Sequence, residues 1–102
     1  MIAIIDYQAG NLTSVQLALE SLGAVGEITA DPARLRAAER VLFPGVGAAG
    51  SAMRTLRATG LDRAIRETVA AGTPFLGICL GTQILFETSE EDGGVGLLGL
   101  LP

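Results

Sequence analysis

Apolar residues along this chain come in two patterns. Short continuous runs occur at Ile2 to Ile5, Val25 to Ala30, Val41 to Phe43 and Phe75 to Ile78. Between them, apolar positions recur every three or four residues. The short runs predict strands of a parallel sheet, where burial on both faces removes the polar–apolar alternation. The run from Val25 is the weakest and is placed near the sheet edge. The last run opens after Pro74, where a missing N–H is tolerated, and reads as fully buried.

The periodic stretches predict helices. Asn11 is an N-cap for a helix to Leu22, with Val15, Ala18, Leu19 and Leu22 on one face and Gly23 at the C-cap. Asp31-Pro32 starts a short helix through Ala38. A helix near Ser51 to Arg57 presents Met53 and Leu56. Another, Leu61 to Ala71, turns Leu61, Ala64, Ile65 and Val69 inward and ends at Gly72. A helix-like run, Thr82 to Glu87, follows the fourth strand directly. Ser89 to Gly94 reads as an acidic loop. Val95 to Leu101 opens a further apolar segment that should continue into more sheet, leaving the patch from Leu97 exposed in a chain of this length.

Strands alternating with helices predict an α/β fold of right-handed βαβ units. The expected form is a doubly wound, flavodoxin-like sheet with helices on both faces. Strand one neighbours strand three, and strand four lies beside strand three. The strands' carboxyl ends then open onto one crevice at the topological switch point. Three glycine-containing segments meet there: Asp6 to Asn11, Pro44 to Gly47, and the turn at Cys79. Residues 1–102 read as part of a single domain, without repeat or linker.

Composition narrows the function classes. The 102 residues are 49% hydrophobic, with a mean hydropathy of +0.48, as expected for a sheet covered on both faces. The net charge of −4 and the lack of any basic cluster along the chain argue against a nucleic-acid surface. The longest uncharged run, Val69 to Phe86, is broken by glycines and a proline, which argues against a membrane span. Met1 leads straight into Ile2-Ala-Ile-Ile with no basic leader, so a cytoplasmic protein is expected. One cysteine permits neither an internal disulfide nor a cysteine-based zinc site. No metal or cofactor is expected.

The chemistry centres on Cys79, framed by Gly77 and Gly81 at the end of the fourth strand. Gly-x-Cys-x-Gly is the thiol form of the nucleophile elbow, in which a sharp strand-to-helix turn lifts the nucleophile above the sheet. The glycines make room for a strained residue. A helix N-terminus there favours the thiolate. The bland alternative is a buried structural cysteine at a strand end. Acyl transfer needs donors where negative charge develops. The N–H of Leu80 is one candidate, and that of Val46 or Gly47, in Pro44-Gly-Val-Gly47, is the other; an ordinary tight turn is the competing reading. Gln83, one helical turn beyond Cys79, is placed to contact a substrate amide or carboxylate. Gly45 to Gly50 also spells Gly-x-Gly-x-x-Gly, but the next strand ends at Cys79 rather than at an acidic residue, which argues against a dinucleotide site.

These motifs resemble a family. Pro74-Phe-Leu-Gly-Ile-Cys-Leu-Gly-Thr-Gln83 resembles the nucleophile segment of class I, triad-type glutamine amidotransferases. Asp6-Tyr-Gln-Ala-Gly-Asn-Leu-Thr-Ser-Val15 and Pro44-Gly-Val-Gly-Ala-Ala-Gly-Ser-Ala-Met53 are similar to the first loop and oxyanion loop of one branch, the glutaminase subunits of imidazole glycerol phosphate synthases. The resemblance implies that Cys79 attacks the glutamine side-chain amide to form a thioester. Val46 and Leu80 match oxyanion donors; Gly45, Gly47 and Gln83 match glutamine-binding positions. Ammonia is implied to pass to a (β/α)₈-barrel cyclase, the heterodimer partner, which Asn11 faces, for imidazole glycerol phosphate formation in histidine synthesis.

Gln8, Ala49 and Thr82 depart mildly from the family pattern. The large departure is the lack of any histidine. The family completes its triad with a His-x-Glu pair later in the chain, and a thiol nucleophile needs a base and an acid. The sequence therefore reads as the N-terminal half of such an enzyme, expected to be inactive alone. The alternatives are a non-catalytic module that binds glutamine or a partner, and a redox module lacking a resolving cysteine.

Overall fold

The computed structural model describes residues 1–7, 12–45, 49–78, 84–86, 88–89 and 95–100. In chain order the elements are β1 (Ile2–Ile5), α1 (Leu12–Ser21), β2 (Gly26–Thr29), α2 (Pro32–Ala37), β3 (Arg40–Phe43), α3 (Ala49–Thr59), α4 (Leu61–Ala70), β4 (Phe75–Gly77), β5 (Thr88–Ser89) and β6 (Val95–Gly96). Strands β1 to β4 form one parallel sheet in the order β2-β1-β3-β4, the expected doubly wound order. Strands β5 and β6 make a small antiparallel pair.

The register sorts side chains by face, because a strand's period is two. Ala3 lies beside Val41, and Val41 beside Phe75. This face carries the main core, with Ile5, Tyr7 and Phe43 from the sheet and Leu35, Met53, Leu56, Leu61 and Ile65 from α2, α3 and α4. Each large aliphatic or aromatic side chain buried there stabilises the fold by about 1.5–3 kcal/mol. Ile2, Ile4, Leu42 and Leu76 share the opposite face, where α1 packs through Leu19.

Local chemistry explains the element ends. Asp31 caps α2 by accepting a hydrogen bond from the Ala33 N–H at 2.9 Å, and Pro32 takes the first helical position. Arg34 then ties α2 to β2 through a paired contact with Glu27 at 2.6 and 2.8 Å. Gly60 separates α3 from α4 with φ +78°, a left-handed conformation that only glycine adopts cheaply.

Four expectations are corrected. The strand after Pro74 is not buried on both faces: Leu76 and Ile78 are 56% and 38% exposed, because α1 does not reach over β4. In α1 no residue is fully buried, and Leu22 is 82% exposed. Thr68, rather than Val69, completes the inner face of α4. It lies seven residues after Leu61, almost two full turns, and its hydroxyl is satisfied by the Ala64 carbonyl at 2.7 Å. Finally, Leu97 and Leu98 are buried in the core rather than exposed.

Candidate active site at the strand ends

The carboxyl ends of β1, β3 and β4 lie side by side, as the parallel register requires. Beyond β1, Tyr7 continues the alternation of Ala3 and Ile5 and buries its ring on the core face. It meets Phe43 edge-on at 5.1 Å, and Phe43 meets Phe75 in the same way at 6.0 Å. This row of rings runs from just past β1, through the end of β3, to the start of β4. Beyond β3, Pro44 and Gly45 are both buried. Beyond β4, the Ile78 N–H donates to the Phe43 carbonyl at 3.0 Å. The sheet ladder therefore holds the backbone up to the residue immediately before Cys79.

Gly45 is the one candidate site residue within the described part, and it lies two residues past the end of β3. Asn11, Val46, Gly47, Cys79, Leu80 and Gln83 lie outside the described residues, as do Gln8 and Thr82. The helix expected over Thr82 to Glu87 is corrected in its described part, since Ile84, Leu85 and Phe86 form a turn and a bridge. Their carbonyls accept from the N–H groups of Leu98, Leu100 and Gly99, at 3.1, 2.8 and 2.9 Å. A helix would direct those carbonyls to N–H groups four residues onward. Ile84 is fully buried beneath them.

Tyr7 is the residue of this region whose role the motif reading missed. Its hydroxyl is buried and has no hydrogen-bond partner among the described residues. Burial pushes its pKa up to about 12, because the phenolate is poorly solvated there. The signal was the strand alternation itself, which extends one step past Ile5. Among the described residues there is no cluster of acidic, histidine or cysteine side chains able to hold a metal ion, and no helix long and apolar enough to cross a membrane.

Comparison with known proteins agrees with this geometry. The family model "Glutamine amidotransferase class-I" matches residues 3–93. Curated relatives named imidazole glycerol phosphate synthase subunit HisH include one from Herpetosiphon aurantiacus, 56% identical over the whole chain and 49% covered by it. Another, from Desulfovibrio desulfuricans, is 57% identical and 46% covered. The chain thus spans about half the length of the curated relatives it matches. Among solved structures, a glutamine amidotransferase superposes with a TM-score of 0.81 at 20% identity, over 98% of this chain and 53% of the other. A putative peptidase E protein from Listeria monocytogenes gives 0.78 at 22% identity, over 98% and 62%. These two matches establish the doubly wound fold. The family match, covering most of the chain, establishes that it belongs to the class-I glutamine amidotransferases.

Proposed function

We propose that the chain supplies the nucleophile-bearing part of a glutaminase that feeds ammonia to imidazole glycerol phosphate synthesis. The observation that carries this reading is the ladder bond from Ile78 to Phe43, which holds the residue immediately before Cys79 beside the Pro44-Gly45 strand end. In the proposed reaction the Cys79 thiolate adds to the side-chain amide carbon of glutamine. The N–H groups of Val46 and Leu80 receive the developing oxyanion. The amide nitrogen leaves as ammonia once protonated, and water then cleaves the thioester to glutamate. Gly45, Gly47 and Gln83 are proposed to orient the glutamine, and Asn11 to face a (β/α)₈-barrel cyclase that receives the ammonia. The high identity to subunits named for imidazole glycerol phosphate synthase supports this branch of the family.

No histidine occurs in the 102 residues, so the proton transfers need a base from elsewhere. The chain alone is expected to release no ammonia from glutamine. Cys79 should still react with 6-diazo-5-oxo-norleucine, a glutamine-shaped electrophile, and mass spectrometry should find the adduct on that residue. Glutamine should slow the labelling and Cys79→Ala should abolish it. Labelling no faster than that of a free cysteine, and indifferent to glutamine, would instead identify a non-catalytic half-domain.

A further inference from the structure

All seven basic residues of this acidic chain are arginines, spread over positions 34 to 66 with no two adjacent. The fold nevertheless gathers four of them, Arg36 from α2, Arg57 from α3, and Arg63 and Arg66 from α4, around one groove of about 780 Å³. A volume of this size falls within the range of small-molecule sites. The sole carboxylate among the lining residues, Asp62, is paired with Arg66 at 3.4 Å. Glu67 pairs with Arg36 at 2.5 Å from outside the lining. Positive charge remains in excess after both pairs are counted.

Much of the donor capacity is also unused. A guanidinium carries five N–H donors. Among the described residues, Arg57 donates to the Gly96 carbonyl and Arg66 to that of Leu98, each at 3.1 Å. These bonds tether the segment after β6, yet they occupy one donor apiece. Arg63 has no ion pair or hydrogen bond among the described residues. Asp62, in the first turn of α4, answers the positive end of that helix and pairs with Arg66, which leaves Arg63 as the unpaired guanidinium among the described residues of the groove. Tethering the β6 segment does not account for Arg63, nor for crowding four like charges in one groove.

We propose that this groove binds a phosphate-bearing small molecule, with phosphate beside Arg63 and the other arginines lining its surroundings. Guanidinium groups suit phosphate because their paired donors match its oxygens. The groove shares no residue with the strand-end crevice, so the inference stands apart from the glutaminase reading.

Calorimetric titration of inorganic pyrophosphate into the 102-residue chain tests it. Saturable binding is expected, weakening with added salt because exposed charges are screened. Arg63→Gln should weaken it by about tenfold, the loss of one charge-assisted contact. Arg40→Gln, at an exposed position outside the groove, should leave it within about twofold of its starting value. Absence of saturable binding, equal binding by Arg63→Gln, an equal loss in Arg40→Gln, or equal affinity for citrate would each overturn the proposal. Should Arg63→Gln fail to fold, the amide resonances of Gly60 and Arg63 in the unaltered chain decide: pyrophosphate must shift them, and unmoved resonances refute the site.

Discussion

Tyr7 shows how much a single buried polar atom controls. Its hydroxyl gave up water on folding without gaining a partner among the described residues. Removing such a group relieves a desolvation cost. Tyr7→Phe is therefore expected to raise the unfolding free energy by about 1 kcal/mol, read from urea denaturation at pH 8. The raised pKa adds a pH dependence of definite sign. Below pH 10 the phenol is neutral whether the chain is folded or not, and stability is full. Above pH 10 the unfolded chain ionises first, so stability falls until the folded state also ionises near 12. The chain has one tyrosine and no lysine, so no other side chain has an ordinary pKa near 10. The loss across that window should amount to roughly 2–3 kcal/mol, and Tyr7→Phe should abolish it. Parallel alkaline declines in both proteins would show that the phenol is solvated. The burial of Tyr7 was legible in the strand alternation, whereas its missing partner was not, because that depends on what the fold places around one atom.

At the scale of elements, α1 is seated on the sheet through a glycine. A Cβ built on Gly26 would lie 2.7 Å from Leu19 Cδ1 and 2.9 Å from Ile4 Cδ1. Gln16 also donates to the Gly26 carbonyl at 2.9 Å, holding the helix against β2. Gly26→Ala should reduce unfolded-chain entropy, worth about 0.4–1 kcal/mol in favour of folding. Overpacking costs about 1–3 kcal/mol, and Ile4 is fully buried and cannot swing away. The net effect should be destabilisation by about 1 kcal/mol or more. Leu19→Ala opens the same space, so the two changes together should cost less than their sum. Strict additivity in chemical denaturation would show that α1 does not sit on Gly26. Helix positions such as Leu61, Ala64 and Ile65 were legible because their determinants are local. The conformation of Ile84 to Phe86 was not, since its hydrogen bonds come from Leu98 to Leu100, more than a dozen residues away.

On the scale of the whole molecule, the two sheet faces are unequally covered. Among the described residues, three helices pack on one face, while α1 alone serves the other. A helix is about 10 Å across and strands are about 4.8 Å apart, so one helix covers roughly two strands. Over β1 and β2 this suffices, and Ile4 is fully buried. Over β3 and β4 it does not: an apolar hollow of about 310 Å³ lies between Leu19, Leu42 and Leu76. The sequence run from Phe75 to Ile78 was legible as a strand. Its covering was not, because that depends on which helices pack on each face. The 102-residue chain should therefore self-associate, since a contiguous apolar patch beside a sheet edge gains from pairing with its like. Sedimentation velocity should show the weight-average mass rising with concentration above that of a 10.4 kDa monomer. Leu76→Lys places a charge in the exposed half of the patch and should shift the midpoint of association upward by at least about tenfold, the loss of one buried leucine. Because Leu76 is more than half exposed already, the folded monomer should tolerate the change. Unchanged association in Leu76→Lys would place the contact elsewhere, with the exposed Leu17, Leu22 and Val25 around the end of α1 as the next surface to alter.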